Sequence, residues 1–286
     1  MTARPTIADL IERQGCVAAP GAADPMSARI IDQLGFDAVY VGGNALGLSL
    51  AKAQPFVTLT ETVDATARLA RITRCAIIVD AGAGFGDPAH VYGAVQELAA
   101  AGASAVHIDD QPYPKSPAYH RGQGALADVA TMAARIQAAR RALSADSDVM
   151  LIARTDALRV AKSLDDAVAR AQACVDAGAD AVMVLDLAPQ QAGALKDALP
   201  GVPLLWIGGV ADPVPSFGEI RTAGFAMALY PFNTVAAMAA AVADTWSGFM
   251  EGGRVNMSSD MLARMRRETL DIVWMQTFWD IEEDLK

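Results

Sequence analysis

Acidic and cationic side chains recur in this chain where short apolar runs end. Asp80 closes the run that begins at Cys75, Asp109 and Asp110 follow His107 and Ile108, and Arg154, Thr155 and Asp156 close a third run. Carboxylates such as Asp80 and Asp109, held at neighbouring strand ends, can converge on a hard cation such as Mg2+, directly or through its waters. The alternative is that either acid caps the next helix or pairs with Arg154. A planar guanidinium at Arg154 suits a substrate carboxylate or phosphonate; its alternative is a pair with Asp156 or Asp186. Gly42-Gly43-Asn44 follows a further run and leaves backbone N–H groups to face an anion or oxyanion, or else forms a tight turn.

The segment Gln111–Gly124 is polar and carries Pro112, Pro114, Pro117, Gly122 and Gly124. It reads as a cover over a site, bringing Lys115, Tyr119, His120 and Arg121 to an anionic substrate on closure, or as a plain surface loop. Gly82 to Gly86 is Gly-rich but lacks the Gly-Lys-Ser/Thr of a nucleotide-phosphate loop. His90 falls at a helix start and reads as structural. Cys16, Cys75 and Cys174 are odd in number, form no Cys-x-x-Cys, and read as reduced thiols of a cytoplasmic protein.

Something must hold these side chains together. One pattern recurs four times: a helix closed by Gly, then a short apolar strand, at Gly35, Gly102, Gly178 and Gly224. Glycine suits the left-handed residue that ends a helix, and the near-continuous apolar run suits a parallel strand covered on both faces. Cys16–Ala19, Cys75–Asp80, Asp148–Ala153 and Pro203–Ile207 read as four more strands. Ala-rich amphipathic segments such as Ala89–Ala101, Leu126–Leu143 and Leu164–Ala177, the last capped by Ser163, fill the gaps. Eight strands alternating with helices specify an α/β fold, a (β/α)8 TIM barrel whose site lies at the C-terminal strand ends. An open doubly wound sheet is the second choice, without a G-x-G-x-x-G to support it.

The barrel is expected over residues 1–246. A helical extension follows over 247–286, where Met261–Phe278 carries Met, Leu, Ile and Trp274 at helical spacing. Such a stripe outside a closed barrel packs on another subunit, so a homo-oligomer is expected. Over its 286 residues the chain has 33 acidic against 23 basic side chains, a formal charge of −10, and no basic run. That excludes nucleic acid and anionic membranes as partners. No apolar stretch approaches the roughly 18 residues of a membrane span, and Met1–Gln14 lacks the apolar core of a signal peptide.

The strand-end motifs resemble the isocitrate lyase/phosphoenolpyruvate mutase superfamily. The match runs from about Thr6 to Ala241, through Asp24-Pro25-Met26-Ser27-Ala28-Arg29, Thr58-Leu59-Thr60-Glu61, Asp80 to Gly86, His107 to Lys115 and Ile152 to Ala157. The resemblance implies a Mg2+ site, a gating loop after the fourth strand, and a homotetramer with its C-terminal helix swapped between subunits. It also implies cleavage or formation of C–C or C–P bonds beside a carboxylate, through an enolate-like species. By that resemblance Asp80 meets the metal, Asp109 stands for a Glu of its shell, and Arg154 holds the substrate anion. Gly42, Gly43 and Asn44 meet the pyruvyl carboxylate and oxygen, and Tyr40 lies near them.

This chain departs from the family pattern at several positions. Gly82 replaces the second acid of an Asp-x-Asp pair, and Ala53 or Gln54 stands where another shell Asp is expected, which should weaken Mg2+ binding. The loop Lys115-Ser116-Pro117-Ala118-Tyr119-His120 lacks the lyase Cys, and Pro117 falls where a mutase has a catalytic Asn. Leu185 and Ile207 replace a Glu and an Asn. The expected activity is a Mg-dependent C–C lyase or decarboxylase on a small 2-oxo or 2-hydroxy dicarboxylate. Arg154 and Lys115 serve the anion, and Tyr119 or His120 moves the proton. The alternatives are a phosphonomutase or phosphonopyruvate hydrolase, and a metal-free or non-catalytic barrel.

Overall fold

Eight short strands alternate with helices along the chain: β1 (Val17–Pro20), β2 (Ala38–Val41), β3 (Ala76–Asp80), β4 (Ala105–Asp109), β5 (Met150–Thr155), β6 (Ala181–Val184), β7 (Leu204–Ile207) and β8 (Met227–Tyr230). The computed structural model describes residues 4–210 and 212–285. Met1 to Ala3, part of the Met1–Gln14 stretch expected to lack a signal-peptide core, and Lys286, the last residue of the expected extension, lie outside the described residues. The observed strands start or stop one or two residues from the expected ones, as at β5, which runs on through Arg154 and Thr155.

All strand pairs are parallel, in the order β1-β8-β7-β6-β5-β4-β3-β2. The remaining seam closes through a parallel bridge between Gly21 and Tyr40, where the Ala22 N–H donates to the Tyr40 carbonyl at 2.9 Å. Only glycine fits at Gly21: a Cβ there would stand 2.8 Å from the Tyr230 and Pro231 carbonyl oxygens. This is the (β/α)8 barrel, and the open sheet is set aside. The four recurrent glycines all adopt the left-handed conformation, with φ between 83° and 108° at Gly224, Gly35, Gly102 and Gly178. They release each helix into its strand as their spacing implies.

Strand alternation sorts the side chains. Ala38, Tyr40, Ala76, Ile78, Ala105, Ile152, Met183, Leu205 and Leu229 form the barrel interior. Ile7 and Leu10 of the first helix, Ile7–Gln14, join the same cluster and are fully buried. The opposite strand faces, such as Val39, Ile77, Val106 and Leu151, pack against the surrounding helices. Each large side chain so buried contributes roughly 1.5–3 kcal/mol. Period two then puts Asp80 with Ile78, His107 and Asp109 with Ala105, and Arg154 with Ile152. The inward rows therefore turn polar at the C-terminal strand ends.

The chain divides into two compact units, Met1–Thr234 and Val235–Lys286. The boundary expected at 246 falls inside the helix Asn233–Gly252. The single helix expected over Met261–Phe278 is two, Ser259–Ile272 and Met275–Asp284. Trp274 lies between them at φ 55°, a left-handed turn that ends helical hydrogen bonding. No helix among the described residues is long and apolar enough to cross a membrane.

Candidate active site

A cavity of about 710 Å3 opens at the C-terminal strand ends. Tyr40, Asp80 and Arg154 line its floor, the Gly42–Asn44 turn one side, and Tyr119 and His120 of the loop after β4 another. The apolar wall includes Leu185, Trp206 and Ile207, which fits the two departures noted at Leu185 and Ile207.

Asp80 is buried at the end of β3. Its Oδ2 accepts the Gly43 N–H at 3.0 Å and its Oδ1 accepts the Gly82 N–H at 2.8 Å. Gly43 was expected to offer its N–H to a substrate anion. That N–H is instead taken by Asp80, because β2 and β3 are neighbours and the carboxylate reaches across. The N–H of Asn44 lies in the first turn of the helix Gly43–Ser49, which has no side-chain cap, so the donor left for an anion on that wall is there. Burial opposes the charge on Asp80, but the Lys115 ammonium, the Arg154 guanidinium and the Gly43 N–H outweigh it and hold the carboxyl well below its usual range. Burial also lowers the His107 pKa despite the Asp80 charge 3.5 Å away. The ring is therefore neutral at neutral pH, and the two cations with the N–H donors carry the stabilisation of Asp80. Tyr40 Oη lies 2.8 Å from His107 Nε2, and burial raises the phenol so that it stays protonated.

Arg154 pairs with Asp156, as one of its two readings allowed. Its Nε donates to Asp156 Oδ1 at 2.8 Å and its Nη2 to Oδ2 at 3.2 Å. Nη1 makes no hydrogen bond among the described residues, and Arg154 lines the cavity, so this nitrogen is available to a substrate anion. Burial works against the guanidinium, but the Asp156 charge and hydrogen bonds raise its pKa well above the ordinary value. Asp156 also accepts from Gln111 Nε2 at 2.7 Å and from Tyr119 Oη at 2.5 Å. Burial raises the Tyr119 pKa first and the Asp156 charge adds to it, so Tyr119 is a fixed donor. Its ring meets that of His120 edge-on, with centroids 5.8 Å apart. His120 is exposed at the cavity wall.

Behind this layer Asp110 accepts from Thr155 Oγ1 at 2.6 Å and from the Asp156 N–H at 2.9 Å. Burial pushes its carboxyl up to about 6. Asp156, Gln111 and His107 complete the site; the sequence places them at strand ends, Asp156 as a partner for Arg154, but gives none of them a role in it. The strand-end rule that found Arg154 also points to Asp156, two residues on.

Asp109 is fully buried, and Lys115 Nζ lies 2.5 Å from its Oδ2. Asp80 and Asp109 are two hard oxygen donors on neighbouring strands. A void of about 40 Å3 beside Asp80, walled also by Gln54, Gly82 and Lys115, has room for about one water-sized particle. Among the described residues no group of three or more His, Cys, Asp and Glu could hold a metal ion. Asp80 faces both this void and the larger cavity, whereas Asp109 lies behind Lys115; a magnesium would therefore take Asp80 from the side of the larger cavity, with its other oxygens from water and substrate. His90 is a structural residue, its Nδ1 2.7 Å from the helix cap Asp87.

Comparison with known proteins bears on the family and the fold. The family model described as phosphoenolpyruvate phosphomutase matches residues 7–250. A carboxyvinyl-carboxyphosphonate phosphorylmutase of Arabidopsis thaliana is 33% identical, over 96% of this chain and 82% of its own. A 2-methylisocitrate lyase of Aeropyrum pernix is 33% identical over 93% of this chain and 85% of its own. Among solved structures, an oxaloacetate acetylhydrolase in complex with the product oxalate superposes with a TM-score of 0.83, at 26% identity, covering 96% of this chain and 95% of that one.

Proposed function

The chain belongs to the phosphoenolpyruvate mutase family of the isocitrate lyase/phosphoenolpyruvate mutase superfamily, and from that premise we propose that it is a carbon–carbon lyase or decarboxylase acting on a small 2-oxo or 2-hydroxy dicarboxylate. The observation that carries this reading is the Arg154 guanidinium, oriented by Asp156 on the floor of a cavity sized for a small molecule. Its spare Nη1 holds one substrate carboxylate, and the Asn44 N–H meets the second anionic end. With His107 Nε2 as the donor in the bond between them, Tyr40 keeps its one proton for an oxygen that gains charge as the C–C bond breaks; the proton of Tyr119 is committed to Asp156, so that residue positions the Arg154 partner. The His120 imidazole, exposed at the wall, is the group that moves the proton. Leu185, Trp206 and Ile207 exclude water from the carbanion side.

Asp80, with Asp109 behind Lys115, is the residue that would hold Mg2+, which when bound supplies positive charge for an enolate-like oxygen. The apolar wall and the names of the lyase and acetylhydrolase relatives favour C–C over C–P cleavage. Apolar side chains exposed on the last helices, Trp246, Phe249, Leu262, Phe278 and Trp279 among them, support a homotetramer. Three free cysteines support the cytoplasm as its compartment, and a disulfide in the native protein would contradict that.

The test is a panel of four- to six-carbon 2-oxo and 2-hydroxy diacids, with phosphonopyruvate included, assayed for 2-oxo acid and phosphate release. Release of a 2-oxo acid or CO2 from a diacid is expected. Arg154→Met should lower kcat/KM by about 100-fold or more, the loss of a charge-assisted pair in a dry site. Phosphate release alone would replace this reading with the C–P one.

A further inference from the structure

The Lys115 ammonium stands where a cation of the site would stand. Its Nζ is 2.5 Å from Asp109 Oδ2, and the side chain is only 10% exposed. It packs over Gly82: a Cβ there would lie 3.0 Å from Lys115 Cε and 3.2 Å from Nζ. Gly82 is held at φ 54° and donates its N–H to Asp80. The ammonium thus occupies space that any side chain at position 82 would contest, next to the void it shares with Asp80.

The local charges follow from these contacts. Arg154 is matched by Asp156, so its charge is compensated. Asp80 and Asp109 leave two negative charges, and Lys115 cancels one of them. A divalent ion arriving with Lys115 in place meets one uncompensated carboxylate charge and a like charge a few ångströms away. With Lys115 withdrawn it meets two carboxylates, and the cation that remains nearby is Arg154, already paired with Asp156. Lys115 sits on the loop after β4, so it can withdraw by a swing of its own stem or with the loop.

We propose that Lys115 is a tethered cation that competes with a divalent metal for Asp80 and Asp109, so that the loop with Lys115 seated and the metal-loaded site are mutually exclusive. This rests on the dicarboxylate lyase reading above. It makes metal uptake weak until a substrate anion supplies further oxygens.

The experiment is calorimetric titration of Mg2+ into the full-length wild type, Lys115→Met and the charge-preserving Lys115→Arg, each with and without oxalate. Thermal melting of each variant checks that it is folded. Lys115→Met is expected to bind Mg2+ at least about tenfold more tightly than wild type, because a like charge within a few ångströms is gone. Lys115→Arg is expected to stay close to wild type. Equal or weaker Mg2+ affinity in Lys115→Met overturns the proposal. If oxalate promotes Mg2+ uptake equally in all three proteins, the competition is refuted and the lyase reading stands. If none takes up Mg2+ even with oxalate, the metal-assisted reading falls and the competition with it.

Discussion

Asp156 is the hub of the site. One carboxylate receives Arg154, Gln111 and Tyr119, so it sets the guanidinium's orientation and the phenol's protonation together. Both partners of the Arg154 pair are buried, and removing one leaves an uncompensated charge in the protein. Asp156→Asn should therefore cost about 3–5 kcal/mol of stability in urea unfolding. A change under roughly 1 kcal/mol would show that the pair is not formed. The sequence makes Asp80, Asp109 and Arg154 legible because each is a charged residue ending an apolar run. It does not show that Asp156 meets Gln111, 45 positions away, because that contact depends on β4 and β5 lying side by side in register. Nor does it show that Gly43 gives its N–H to Asp80. A Gly-Gly-Asn turn looks the same whether its donors face a ligand or a neighbouring strand.

Strands and their connections decide which of these residues share a space. Period two puts Asp80, His107, Asp109 and Arg154 on the inward rows of β3, β4 and β5, and the recurrent helix-ending glycines bring each strand in at the same level. Both features are readable from the chain, and so the barrel was. The end of β5 was less so, since the run from Met150 continues into Arg154 and Thr155, polar residues that satisfy themselves on Asp156 and Asp110 respectively. The break at Trp274 was not readable, because a tryptophan in left-handed conformation carries no sequence mark of the kind glycine does.

The β4–β5 connection also carries a pH dependence. Asp110 titrates near 6 in the fold against an ordinary 3.8, so the folded state holds the proton more tightly. Its contribution is complete below about 3.8 and is lost as pH rises through about 6. Asp110→Asn cannot lose it. Relative to wild type, that variant should gain roughly 2–3 kcal/mol between pH 3.8 and pH 7. Urea unfolding of both proteins across this range checks the sign. A constant difference between them would show that Asp110 is not held protonated.

At the scale of the whole molecule, two compact units divide the work. The first holds the cavity and every residue assigned to it. The second exposes large apolar side chains that a lone chain leaves in water, including Trp246, Phe249 and Trp279, more than scattered surface residues require. Light scattering should give a mass of four chains for the full protein, and a lower assembly for a chain ending at residue 246. A monomer at full length would contradict the tetramer. A formal charge of −10 with no basic run makes the chain a poor match for nucleic acid or an anionic membrane, but the identity of the diacid depends on the cavity's shape, which no motif encodes. The central claim is that this cavity breaks a C–C bond beside a carboxylate held by Arg154. The most direct measurement is NMR identification of the products formed from the diacid panel by wild type and Arg154→Met. The account predicts a 2-oxo acid or CO2 with its carbon partner from wild type and almost none from the variant. Intact diacids with wild type, or equal turnover by Arg154→Met, would contradict it.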